Sequence, residues 1–214
     1  MHVNYNFILS PKDIENKSFE IISRLLEGRS IHPLHEPIIK RVIHTTADID
    51  YADILMISEN AVKSGLQALK SGCGIATDTK MAEAGINKKA LAKLGAYVTC
   101  FIDDVKVAEE SLKRNVTRAA VSMEKAAACP DIRIFAIGNA PTALIRLYEL
   151  ICEKAVKPEL VIGVPVGFVN VAESKEMFKQ CGIPYIISEG CKGGSNVAAA
   201  IVNALCAIAA EAED

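Results

Sequence analysis

Four histidines offer acid–base chemistry, and one of them has charged neighbours at helical spacing. His44 stands in "KRVIHTTADIDYADIL", directly behind the apolar pair Val42 and Ile43. A helix continued through it puts Arg41 at i−3 and Asp48 at i+4 on the same side. An aspartate there would orient the imidazole and favour its protonated form, which a general acid needs. A lone helical histidine also serves for packing or at a surface, so spacing leaves both readings open. His32 and His35 lie in "IHPLHEP", a loop with two prolines, where H-x-x-H lacks the further ligands of a zinc site. His2 lies in the N-terminal segment.

The second chemistry is anion binding. Arg118 opens a helical stretch in "NVTRAAVSM", with Lys113 and Arg114 just upstream. Such a cluster either clamps carboxylates or forms a solvated helix start. Three glycine-rich junctions lead from apolar runs into helical ones. "IRIFAIGNAPTAL" offers Asn139 as a cap, Pro141 as first helical residue, and Thr142 beside it. "VIGVPVGFVNVAESKE" carries Gly163 and Gly167, and "GCKGGSNVAAA" carries Lys192, Gly193 and Gly194 ahead of the capping residues Ser195 and Asn196. One such turn is ordinary structure; three on one sheet edge suggest a binding site built from helix N-termini. None matches G-x-x-x-x-G-K-[ST] or a G-x-G-x-x-G after a first strand. The expected ligand therefore carries several separate anions, as a polycarboxylate does. Asp78 and Lys80 in "TDTKM" read as ligand contacts or caps, and Asp103–Asp104 as a turn and helix cap.

Six short apolar runs have the length of buried strands: "ILMIS" (54–58), "CGIAT" (73–77), "YVTCFI" (97–102), "IRIFAI" (132–137), "LVIGVPV" (160–166) and "YIIS" (185–188). Helical stretches are expected at 18–26, from Pro37 onward, and at 60–70, 87–94, 116–128, 141–155, 172–180 and 195–212. In the first, Phe19, Ile22, Leu25 and Leu26 share one face. Wholly apolar strands alternating with helices predict a three-layer α/β/α sandwich with a mainly parallel sheet, flavodoxin-like, in one domain over residues 1–214. Ligands of such sheets bind beyond the carboxyl ends of the strands.

Composition narrows the classes. The chain has 214 residues, 50% apolar, with a net charge of −2, which gives no basic excess for nucleic acid or an anionic membrane. Trp is absent. The greasiest segment, 197–210, is interrupted by Asn203 and too short to span a bilayer. Seven scattered cysteines without C-x-x-C imply reduced thiols acting as small core residues in a cytoplasmic protein, with no metal site.

Several of these strings together resemble one family. "SFEII" (18–22), "RVIHTTADIDYADIL" (41–55), "DTKMAEAGI" (78–86), "VTRAA" (116–120), "GNAPTAL" (138–144), "VPVGFVNVAESKE" (164–176) and "KGGSNVAAAIVNAL" (192–205) are similar to the precorrin-8 methylmutases of cobalamin biosynthesis. "LHEPIIKRVIHTTADID" looks more like the anaerobic, cobalt-early branch. The resemblance implies an isomerase that moves a methyl group from carbon 11 to carbon 12 of ring C, giving cobyrinate, or hydrogenobyrinate from a metal-free substrate. It implies that His44 is the essential proton donor and acceptor, and that Ser18, Arg41 and Arg118 contact substrate. It also implies a homodimer with active sites near the subunit interface. Where the family commonly has Ser after its T-R string, this chain has Ala119. Asn139, Thr142 and Lys192 join the expected contacts because a carboxylate-rimmed macrocycle suits helix N-termini and cations. No resident cofactor is expected, since cobalt would arrive inside the substrate. Two rivals remain: a corrinoid carrier without catalysis, and a nucleotide-binding α/β enzyme.

Overall fold

The structure, a computed structural model, describes residues 7–211. His2 and residue 212 of the expected last helix lie outside the described residues. Six strands form one sheet: β1 (Leu55–Ile57), β2 (Gly74–Thr77), β3 (Tyr97–Thr99), β4 (Ile132–Ile137), β5 (Leu160–Gly163) and β6 (Tyr185–Ser188). Their order is β1-β6-β5-β4-β2-β3, and every pairing is parallel except β1 with β6. Without the antiparallel edge strand β1, the order is that of the flavodoxin-like doubly wound sheet, which reverses between β2 and β4.

The four inner strands β2, β4, β5 and β6 are covered on both faces, while the edge strands β1 and β3 leave Met56 and Tyr97 exposed. In β4, Ile134 and Ala136 belong to one apolar core, and Phe135 and Ile137 to the other. This is the period-2 alternation of a strand buried between two layers. One layer contains α1 (Pro11–Leu25), α2 (Glu36–Thr46), α4 (Ala61–Lys70), α6 (Lys88–Lys93) and the apolar α11 (Ser195–Glu211). The opposite layer contains α8 (Arg118–Ala127), α9 (Pro141–Cys152) and α10 (Val171–Phe178). The short helices α3 (Tyr51–Ile54) and α5 (Lys80–Gly85), and α7 (Val105–Arg114), complete the chain.

Asn203, the polar break in the last helix, ties α11 to the turn before α6. Its side chain accepts the Asn87 N–H at 2.8 Å and donates to the Gly85 carbonyl at 2.9 Å. Asp104 caps α7 through the Lys106 N–H at 2.8 Å, as its place after an apolar run suggested. No helix among the described residues is long and apolar enough to cross a membrane. The thiols divide by position: Cys73, Cys100 and Cys206 are buried, while Cys152 and Cys191 are exposed.

Candidate active site

Helices α1 and α2 pack against each other and present one polar wall. In α2 the residues Ile38, Ile39, Val42 and Ile43 are buried, which leaves Arg41, His44 and Thr45 along the outer margin. In α1 Ile22 is buried and Phe19 half-buried. Leu25, expected on the same inward face, is 58% exposed, while its neighbour Leu26 is buried with Ile22. The His44 ring stacks on Phe19 with centroids 5.2 Å apart and planes 16° from parallel. The Arg41 guanidinium lies 4.8 Å from the centroid of the same phenyl ring. Stacking of this kind is worth about 0.5–1.5 kcal/mol beyond area burial, enough to favour one orientation of an imidazole. Arg41 also donates from Nη1 to Glu15 at 2.8 Å, leaving further N–H donors on the fork. Ser18, adjacent to Phe19, donates its hydroxyl to the Ile14 carbonyl at 2.8 Å and keeps its lone pairs.

Asp48 does not serve His44, contrary to the spacing argument. Helix α2 stops at Thr46 because Ala47 turns left-handed, with φ 54°, and its N–H closes on the Ile43 carbonyl at 2.7 Å. Asp48 then lies beyond the helix and accepts Lys192 Nζ at 2.6 Å. Lys192 also donates to Asp50 at 2.6 Å. This double pair holds the Asp48 carboxyl below the usual carboxylate range, raises the Lys192 ammonium, and joins the end of α2 to the loop before α11. His44 lies in the last turn of α2, one turn before this junction. Among the described residues no hydrogen bond engages its ring nitrogens.

A cleft of about 940 Å³ opens beside this wall. Arg41 and Thr45 line one side, Lys89 and Lys93 of α6 another, and small residues of α11, among them Ala199 and Ala207, form the floor. A second hollow of about 320 Å³ shares Arg41 and Ala207 and reaches Phe19. Small apolar residues occupy the centre of the larger cleft, and Arg41, Lys89 and Lys93 stand around it with Glu15, the ion-pair partner of Arg41.

The other expected residues lie on the opposite layer or at the edge between the layers. Arg118 is exposed at the first position of α8, beside the cap Thr117, whose hydroxyl meets that of Thr142 at 2.8 Å. Its expected basic companions are engaged: Arg114 forms two bonds to Glu124 at 2.6 and 2.9 Å, and Lys113 faces Glu110. Asn139 is exposed and does not cap α9; Ala140 stands at the cap position, with Pro141 opening the helix as expected. A ligand touching both groups must straddle the strand ends.

Residues 13–208 match the precorrin-8X methylmutase family model. The chain belongs to that family. It is 47% identical to the cobalt-precorrin-8 methylmutase of Salmonella typhimurium, covering 94% of this chain and 96% of that one. It is 43% identical to the protein of the same name in Priestia megaterium, covering 94% and 89%. Its fold superposes on the crystal structure of precorrin-8x methyl mutase from Thermus thermophilus with a TM-score of 0.85 and 35% identity, over 93% of this chain and 98% of that one. The family is one of isomerases, and the doubly wound fold is shared with its solved members.

Two roles escaped the sequence argument. Phe19 was read as core, yet its ring organises both Arg41 and His44; the 25-residue separation from His44 hides that contact. Lys175 is fully buried and donates to the Gly190 and Lys192 carbonyls, both at 2.8 Å. Burial pushes its ammonium down to about 8. A signal existed: Val171, Ser174, Lys175 and Phe178 fall at i, i+3, i+4 and i+7, one inward stripe. Asp78, expected as a ligand contact or a cap, is 1% exposed, and its carboxylate accepts three backbone N–H groups at the turn after β4.

Proposed function

We propose that this chain is a cobalt-precorrin-8 methylmutase, catalysing migration of a methyl group from carbon 11 to carbon 12 of ring C to give cobyrinate in the anaerobic route to cobalamin. One observation carries the reading: His44 is stacked on Phe19 beside the Arg41 guanidinium, and Arg41 in turn lines a cleft that also carries Lys89 and Lys93. His44 lends a proton to the conjugated macrocycle, which polarises it and lowers the barrier to migration, and takes the proton back once the methyl group has moved. The substrate and product are isomers, so no atoms are gained or lost and no resident cofactor is required. Cobalt enters and leaves as part of the substrate. Arg41 receives a rim carboxylate in place of Glu15, and Ser18 accepts or donates beside it. Arg118, Asn139 and Thr142 take carboxylates of the ring edge that reaches across the strand ends. Lys192 already bridges two aspartates, so its share in the substrate is an orienting one. The enzyme acts as a cytoplasmic homodimer, as the family likeness implies.

The test is incubation of the purified protein with cobalt-precorrin-8 and, separately, with the metal-free compound, followed by absorbance. Conversion of the cobalt form is expected, with the metal-free form slower. Binding of either pigment without conversion would favour the carrier. Thermal stabilisation by NAD or ATP would favour a nucleotide enzyme.

A further inference from the structure

In a doubly wound sheet the strand order reverses at a crevice, and ligand anions settle there on the N–H groups of the following helix. In this protein the reversal lies between β2 and β4. Asp78 follows β2 directly, and the turn Gly138–Ala140 follows β4. Asp78 Oδ1 accepts the Gly138 N–H at 2.9 Å, and Oδ2 accepts those of Asn139 at 2.8 Å and Ala140 at 2.7 Å. Among the described residues no cation pairs with this carboxylate, so backbone donors and the N-terminal dipole of α9 compensate its charge. Burial pushes its carboxyl up, and the three donors oppose that shift.

The surroundings fix the arrangement. A Cβ on Gly138 would stand 2.6 Å from Ser195 Cα, so the turn is pressed against the start of α11. Thr79, the next residue but one after Thr77, caps α5 and meets the Ser195 hydroxyl at 2.7 Å.

We propose that Asp78 is a built-in anion that occupies the ligand position of the doubly wound fold, closing the strand-order reversal to free anions and holding Asn139 and Thr142 in place for substrate. It is a positioning residue, acting through the backbone of the turn. The part concerning substrate rests on the methylmutase reading; the part concerning anions does not.

The test uses full-length Asp78→Ala, which leaves the three N–H groups facing a hole of carboxylate size. Thermal unfolding is followed in sodium formate against sodium chloride at equal ionic strength. Formate should raise the melting temperature of the variant saturably and leave the parent unmoved. For the corrinoid, KM should rise about tenfold, the scale of one lost hydrogen bond, with kcat nearly unchanged, and formate should restore it. The proposal is overturned if formate and chloride act alike on the variant, or if formate stabilises the parent equally. If Asp78→Ala does not fold, Asp78→Asn decides: its amide nitrogen cannot accept, so it should be less stable with a raised KM, and parental values for both would overturn the proposal. Failure of the methylmutase reading would appear in the parent, as absent conversion, and would leave the formate comparison intact.

Discussion

At the α1–α2 wall the polar groups keep hydrogen-bonding capacity to spare: the His44 nitrogens, the remaining donors of Arg41 and the Ser18 lone pairs are unspent among the described residues, and Arg41 lines an open cleft. At the strand ends they face inward. Asp78 fills the turn after β4, Lys175 fills the loop before α11, and Lys192 closes on Asp48 and Asp50. The glycines belong to this second arrangement. Gly138 lies against Ser195, and a Cβ on Gly193 would collide with the Val164 carbonyl. Three glycine-rich turns that read as a ligand cradle are packed chiefly on one another. A region whose buried groups satisfy each other is scaffold, whereas unspent donors beside a cavity are available to a substrate.

The sharpest way to break this contrast is to strike the closed edge first. Gly138→Val should cost about 3 kcal/mol or more of stability, because its new atoms meet backbone that cannot yield. Urea unfolding measures it, and a cost under about 0.5 kcal/mol, the surface level, would show that the edge is loose. On the open wall the reverse holds. Arg41→Ala should raise KM about 10- to 100-fold, the scale of a lost charge-assisted bond, with little change in melting temperature, since its ion pair with Glu15 is solvent-exposed. Phe19→Leu keeps bulk and removes the stack, so kcat should fall by at most about tenfold while binding persists. An unchanged kcat would reduce Phe19 to packing.

The smallest expected effect concerns pH. Lys175 releases its proton near 8 when folded and near its ordinary 10.5 when unfolded. Between those values the unfolded chain binds more protons, so stability conferred by the parent residue rises with pH. The stability difference between parent and Lys175→Met should therefore shift toward the parent from pH 8 to pH 10. A constant difference would mean that Lys175 keeps its proton throughout.

The fold was largely legible because the inner strands are apolar on both faces and the longer helices have an apolar stripe, which is local information. The α2 terminus was not: alanine is a good helix former, so Ala47 carries no sign of its left-handed turn, and Asp48 was placed on a helix that had already ended. The mutual packing of the glycine turns joins residues 138 and 195, a separation that periodicity does not register. Spacing singles out His44 with Arg41 beside it, likeness to a family adds Ser18 and the expected roles, and the structure adds what both lacked, the phenyl ring between His44 and Arg41.

The most direct measurement mixes His44→Ala with cobalt-precorrin-8 and records pigment binding and spectral conversion in the same samples. Binding within a few-fold of the parent is expected, with conversion slowed by about 10²–10⁴-fold, the usual contribution of a positioned acid–base group. Conversion at the parental rate by that variant would contradict the role of His44 as proton donor.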